Sequence, residues 1–422
     1  MRVINPYAGV DFGKTVKSIT HEHIHSAGQW TKAYERGIRH FAAMSYSPAA
    51  PRFPASNYLF KIVDGVPVFN TYKDYANLPN NDYTIVDKRL EGAVEEFKDS
   101  EGNIVKTDDL PQVPNNEHPT FTQQLGVTTN FIQHFNVLGN MWGEAGWGDN
   151  NGSIADRNGH PLSDLSDMTK FLDASNQYFA GGKVFGTINH CGNLSSAKML
   201  IGSELGKIPL GFEVFNQGYT RDLNRKYRDC YDKLLSEGYR LFAVSVIDWQ
   251  GYIEKDYADE EYIADVDYDR GCNVLLVDSS YDSLPANDFM VVDGKKYPNY
   301  HSATYTKAEA GLDCYINGRF YASGLGNHSI TELSEKNGTI NFSVDGSPSG
   351  MAVITNLGRT SVAGNSLSYS IEKGVSYVRF EVFYDNDEKK DFIFTNPIWV
   401  EDNDIAENKS KKIKRNLLLI LE

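Results

Sequence analysis

Three histidines at alternate positions, His21, His23 and His25 in the stretch THEHIHSAG, constrain the backbone that carries them. On a helix, residues four apart share a face, so His21 and His25 would pair and His23 would point elsewhere. With Glu22 they would spell H-E-x-x-H, the zinc-protease signature. On a strand all three project to one side, because side chains alternate with a period of two. The flanks decide between the two. A protease helix needs apolar residues on both sides, and KSIT and SAGQ do not supply them. The preceding VKSIT is short and β-branched in character, as a strand is.

SAGQWTKAYERG then predicts a short helix closed by Gly37, and IRHFAAMSY a second strand. A strand–helix–strand unit with short connections is typical of parallel α/β folds. It puts the histidines at the C-terminal end of the first strand, the edge at which α/β barrels place their chemistry. The alternation continues. TTNFIQHFNVLGN, KVFGTINH, GFEVFN, YRLFAVSVIDWQ and GCNVLLV read as strands, and LSDMTKFLDASNQYFAGG and NRKYRDCYDKLLSEG as helices.

Residues 50–116 interrupt this pattern. They are polar and turn-rich, with one helix expected at DKRLEGAVEEF, and form either a lid or a surface excursion. After about Asn327 short β runs separated by turn residues predict a small all-β sandwich over residues 329–400. The domain expectation is thus a barrel over 1–328, the sandwich, and a charged tail over 401–422.

With 422 residues, 41% of them hydrophobic, the chain can bury more than one core. A net charge of −15, with no Lys/Arg run before KSKKIKR near the end, argues against nucleic-acid binding. The opening MRVINPYAGVDF lacks the basic and apolar regions of a signal peptide, and no apolar run approaches membrane-spanning length. The four cysteines, Cys191, Cys230, Cys272 and Cys314, form no CxxC pair. They are expected to be reduced thiols in a cytoplasmic protein.

Polar residues recur at the predicted strand ends: His21, His23 and His25, then His134, His190, Glu213 and Asp248, with Glu117 and His118 closing the insertion. Eight of the ten histidines precede residue 191, in the half that holds most of these ends. One histidine at a strand end is ordinarily a hydrogen-bonded structural residue. Several meeting carboxylates at one rim point to metal, and imidazole with carboxylate suits Zn²⁺, Mn²⁺ or Fe²⁺ rather than Ca²⁺ or Mg²⁺ alone.

In order and spacing these motifs resemble the polymerase-and-histidinol-phosphatase (PHP) superfamily over about residues 15–325. His21 and His23 stand as its H-x-H; RGIRHFAAMSY stands where the family has G-x₆-T-D-H; Glu117 stands as its lone carboxylate and His134 follows. INHCG resembles I-N-H-P, FEVFN resembles I-E-V-x-N, and YDKLLSEGYRLFAVSVIDWQ resembles the segment that ends in D-x-H. YINGRFYAS resembles the later A-L-x-x-G-x-x-Y-x-S, and YVRFEVFYD…FTNPIWV the β domain that follows many such barrels. The resemblance implies a distorted (β/α)7 TIM-like barrel and a metal-dependent hydrolase.

The departures shape that expectation. T-D-H is replaced by Ser45-Tyr46-Ser47 and D-x-H by Asp248-Trp249-Gln250, so the residues that would hold a third metal are lost together. Two divalent ions (Zn, Mn or Fe) remain: His21, His23, Glu117 and Asp248 around one, with Glu117 bridging to His134 and His190 around the other. The implied activity is a phosphoesterase in which a hydroxide bridging the ions attacks phosphorus in line. The substrate would be a small-molecule or headgroup phosphate ester. Asp248, His118 and His25 are the catalytic candidates, the two histidines orienting a ligand or donating a proton to the leaving group, or else being plain solvated residues. Glu213 is expected to satisfy buried groups or support a ligand, and Cys191 to be a small buried thiol. The alternative is a barrel that no longer turns over and serves as a binding, surface or virion module.

Overall fold

TVKSI extends as its β-branched residues favour, and its last two side chains are buried. This strand, β2 (Thr15–Ile19), follows a short β1 (Arg2–Ile4). Helix α1 (Ala27–Glu35) buries Trp30 and Ala33 against the core and ends at Gly37, whose φ of 85° reverses the chain without a Cβ penalty. The chain then enters β3 (Ile38–Phe41), parallel to β2 with Ser18 opposite His40. The expected strand–helix–strand unit is therefore formed. The computed structural model describes residues 1–22, 24, 27–42, 44–45, 58–63, 66–71, 96–121, 131–139, 181–248, 270–292, 295–298, 303–385 and 391–401.

After the two-residue β4 (Met44–Ser45) come two hairpins, β5 (Tyr58–Val63) with β6 (Val66–Thr71) and β7 (Glu96–Lys98) with β8 (Ile104–Lys106). Glu96 and Phe97, the end of the expected helix DKRLEGAVEEF, are thus in a strand; the rest of that segment lies outside the described residues. Next are β9 (Asn115–Phe121), β10 (Phe131–Leu138), β11 (Phe185–Ile188), helix α2 (Leu194–Gly202), β12 (Leu210–Asn216), helix α3 (Arg221–Ser236), β13 (Phe242–Val246) and β14 (Cys272–Leu276). The helix expected at LSDMTKFLDASNQYFAGG lies outside the described residues up to residue 180. Helix α3 buries Tyr227, Cys230, Tyr231, Leu234 and Leu235, an i, i+3, i+4 stripe laid against β12.

A hairpin of β15 (Phe289–Val292) and β16 (Lys295–Pro298) leads to helix α4 (Lys307–Ile316) and β17 (Phe320–Ser323). The C-terminal strands are β18 (Ile330–Lys336), β19 (Thr339–Val344), β20 (Gly350–Thr355), β21 (Gly358–Val362), β22 (Ser366–Ser370), β23 (Tyr377–Phe383), β24 (Phe392–Thr395) and β25 (Ile398–Glu401).

Two large sheets organise these strands. One has six strands in the order β13-β12-β11-β10-β9-β4. The other has ten, running β1-β25-β23-β24-β17-β14-β2-β3, with β20 and β21 branching from β23. They meet at two seams. At one, the Phe41 N–H donates to the Pro111 carbonyl (2.9 Å) and the Val113 N–H to the Phe41 carbonyl (2.8 Å). At the other, the Asn273 side chain of β14 accepts from the Ser245 N–H (3.0 Å) and donates to the Ser245 carbonyl (3.1 Å), so an amide stands in for a ladder beside β13. Close approach there requires Gly271, where a Cβ would lie 2.3 Å from the Val246 carbonyl oxygen. Among the described residues no continuous ladder closes a barrel. The architecture is mixed α/β, and β10 and β14 run against their neighbours.

The ten-stranded sheet passes through the expected boundary near residue 328, since β24 pairs with β17 and β25 with β1. Its two faces serve two cores. Phe320, Ala322, Phe392 and Phe394 face one, and Tyr321 and Ile393 the other, the period-two alternation of a doubly covered sheet. The second core is closed by β18, β19 and β22, where Phe342 stacks on Phe380 at 4.2 Å. Among the described residues no helix is long and apolar enough to cross a membrane.

Candidate functional site

One rim of the two sheets gathers titratable groups from β2, β10, β11, β12 and β13. His21 follows β2 and is fully buried. Its Nδ1 lies 2.6 Å from Glu213 Oε1 and its Nε2 3.1 Å from Asp248 Oδ1. Glu213 is a carboxylate inside β12, a strand buried along its whole length. Its Oε2 accepts from the His190 N–H (2.6 Å) and from Asn216 Nδ2 (3.1 Å). Asn216 Nδ2 also donates to Asp248 Oδ2 (3.1 Å). His190 follows β11, with its Nε2 4.0 Å from Asp248 Oδ2. Its ring centroid is 5.0 Å from that of His134 and 5.0 Å from that of Tyr219.

His134 lies within β10 rather than at a strand's C-terminal end. It still reaches this rim because β10 is antiparallel to β11, so the N-terminal half of β10 sits beside the end of β11, and the Asn189 N–H donates to the His134 carbonyl (3.1 Å). Beneath the rim runs an amide network. Asn189 donates to Asn136 Oδ1 (2.6 Å), Asn136 to the Thr20 carbonyl (3.2 Å), and Asn115 to the carbonyls of Thr20 and of Ala42 (2.8 Å to the latter).

Backbone strain marks the same place. Three described non-glycine residues have positive φ: His190 (33°), Asp248 (53°) and Asn337 (55°). Asn337 is accounted for by its turn, since Asn-Gly between β18 and β19 is the favoured two-residue hairpin loop. The other two both spend their N–H on the cluster: His190 on Glu213, and Asp248 on the His21 carbonyl (2.8 Å). Residues held in sparsely populated regions concentrate at functional sites because the surroundings must over-determine them.

Burial holds the His190 imidazole below its ordinary pKa; neighbouring His134 pushes the same way, and Glu213 and Asp248 pull against both without offsetting them. Cys191 is buried and its thiol donates to the Asn193 carbonyl (3.3 Å). Its hydrogen bond with Cys230, together with burial, raises its pKa far above the ordinary value, the opposite of what a nucleophile needs.

Of the expected site residues, the structure brings together His21, His134, His190 and Asp248. Glu117 and His118 are described in backbone alone. They lie in β9, opposite Asn136 and Phe135, and not in the loop that NNEHP suggests. Pairing with β10 and β4, and the Asn115 side-chain bonds, outweigh the local turn preference of Asn115–Asn116. Pro119 falls beyond the end of β4, on a strand edge that tolerates it. His23, His25, Tyr46, Ser47, Trp249 and Gln250 lie outside the described residues. Asn216 and Asn189 were not expected. Their signal was a polar residue ending an otherwise apolar strand, in FEVFN and TINH.

The 3.1 Å between His21 Nε2 and Asp248 Oδ1, the two described donors expected around one ion, is close to the roughly 3.4 Å edge of a tetrahedron with metal–ligand bonds near 2.1 Å. The donor types therefore suit a divalent ion. Among the described residues no group of three or more His, Cys, Asp or Glu already stands as a metal cage. No protein-family model matches the chain, and neither a curated protein nor a solved structure matches it.

Proposed function

We propose that the chain is a metal-dependent hydrolase of the PHP type, a phosphoesterase whose site lies at the rim formed by β2, β10, β11, β12 and β13. The observation that supports it is the strained pair His190 and Asp248, both tied by their backbone N–H groups into the cluster of His21 and Glu213. In this reading His21, His23, Glu117, His134, His190 and Asp248 hold two divalent ions, Zn²⁺, Mn²⁺ or Fe²⁺. Ions bound there would supply Lewis-acid polarisation of a phosphoryl oxygen and a nucleophile at neutral pH.

The chain's own residues do the rest. Asp248 turns one oxygen to His21 and the other to His190, so a single carboxylate spans both rings. Burial of His21 and Glu213 keeps bulk water from competing for their contacts. In this reading His25 and His118 would orient a ligand or donate a proton to the leaving group. Four free, buried cysteines suit a reducing compartment such as the cytoplasm.

A second reading, a binding module without turnover, is favoured by Ser45-Tyr46-Ser47 and Asp248-Trp249-Gln250 in place of T-D-H and D-x-H, and by the basic KSKKIKR near the end of the sequence. Metal content by mass spectrometry, followed by turnover of p-nitrophenyl phosphate mono- and diesters with Mn²⁺ or Zn²⁺, separates the two. The hydrolase reading expects bound metal and turnover. Bound metal with no ester turned over establishes the binding module. A chain that takes up no metal sinks both the site and the hydrolase.

A further inference from the structure

A carboxyl group buried as completely as that of Glu213 needs partners for both oxygens, and the partners it has all belong to the candidate site. Oε1 is 2.6 Å from His21 Nδ1. Oε2 takes the His190 N–H at 2.6 Å and Asn216 Nδ2 at 3.1 Å, and that same amide nitrogen reaches Asp248 Oδ2 at 3.1 Å. One carboxylate thus touches the ring of one expected ligand and the backbone of a second, and is one amide away from the side chain of a third.

Two consequences follow from elementary chemistry. With Nδ1–H of His21 donated to Glu213, Nε2 is the ring atom left to face the cluster, and a carboxylate on the far nitrogen both fixes the ring and makes the near one a better donor. The φ of 33° at His190 is costly for a residue with a Cβ, and the 2.6 Å bond from its N–H to Glu213 Oε2 offsets that cost. We infer that Glu213 is a positioning residue: it sets the His21 ring and the His190 backbone for metal uptake without itself binding the ion. This rests on the metal reading above.

The alternative is a carboxylate that only satisfies buried donors. Glu213→Gln separates the two, because it keeps the shape but turns an NH₂ group toward one of the donors. The probe is Co²⁺, titrated into the full chain with its visible ligand-field absorption as the readout and circular dichroism as the check on folding. In the variant, Co²⁺ affinity should fall by about 10- to 100-fold and the absorption bands should shift. Glu213→Asp, which retains the charge but withdraws it by one methylene, should fall between the variant and the wild type, and it carries the test if Glu213→Gln does not fold. A folded Glu213→Gln chain (or, in its place, a Glu213→Asp chain) that binds Co²⁺ as tightly as wild type, with the same spectrum, overturns this inference alone. A wild-type chain that takes up no Co²⁺ overturns the inference and the metal reading together.

Discussion

Two clusters of acid groups in this molecule are neutralised differently. Where α3 meets the C-terminal strands, Arg379 is almost wholly buried and forks onto both oxygens of Asp232, at 2.8 and 2.7 Å. Its third nitrogen is 2.8 Å from Glu381, which also accepts from Arg359. Covalently attached guanidinium groups complete that cluster. At the rim, Glu213 and Asp248 face imidazoles and an amide, and no guanidinium or ammonium is among the described contacts of Glu213. The first cluster joins helix to sheet. At the second, the described partners of Glu213 are an imidazole, a backbone N–H and a side-chain amide.

The largest effect should come from the closed cluster. Arg379→Met takes the fork from Asp232 and leaves Glu381 with Arg359 alone in contact, and should cost about 3–5 kcal/mol in urea unfolding; a loss under about 1 kcal/mol would show that the Arg379 guanidinium is not what balances them.

Acid should probe the same cluster. Burial alone would push the Glu381 carboxyl up, but Arg379, Arg228 and Arg359 reverse this and hold it down to about 2, against an ordinary 4.5. The folded chain therefore binds that proton more weakly than the unfolded chain. The corresponding stability, on the order of 3 kcal/mol, is fully present above about pH 4.5 and is lost as pH falls toward 2. Unfolding free energies followed down that range should show the loss, and Arg379→Met should flatten the slope.

At the rim, Asp248→Asn should weaken Zn²⁺ or Mn²⁺ binding by about 100-fold or more, a loss of about 2.7 kcal/mol. It should shift the stability of the metal-free chain by less than about 1 kcal/mol, because asparagine is at home at positive φ. Calorimetry of binding and of unfolding on the same sample checks both halves. Destabilisation as large as that of Arg379→Met would make the rim a structural cluster like the other.

The smallest effect calibrates local stability beside the site. Asn193 caps α2, accepting from the N–H groups of Ser195 (2.9 Å) and Ser196 (3.2 Å), and Asn193→Ala should cost about 1 kcal/mol by thermal unfolding with metal affinity unchanged.

The elements that period and punctuation specify were legible in the sequence. TVKSI, GFEVFN and FAVSV are strands, the first buried at its end and the second throughout, and the stripe on α3 lies against the sheet as its spacing implies. His21, His190 and Asp248 could be singled out because polar residues ending apolar strands have few other uses. The direction of β10 was not legible, since its residues read the same whether they run with or against β11. Nor was the placement of Glu117, because Asn115–Asn116 look like a turn until β10 and Thr20 take up their hydrogen bonds. The shared sheet was hidden for a similar reason: β24 joins β17 across 70 to 74 residues of chain, from Ser323 opposite Ile393 to Tyr321 opposite Thr395, a choice of partner that no local pattern encodes. Arg379 and Glu381 did leave a trace, two opposite charges at alternate positions of an apolar strand, but their partner Asp232 sits on a helix far upstream.

The tie between His21 and Glu213 spans 192 residues of chain, and the His21 carbonyl is held by a backbone amide still further along. Loop-closure entropy is therefore met before any of these contacts forms. During synthesis the leading histidine emerges long before its acidic partners exist, and no short peptide cut from either end can reproduce the arrangement. On the proposed metal reading, loading with an ion would belong to the finished chain, as a last step that reports on whether the distant strands have docked.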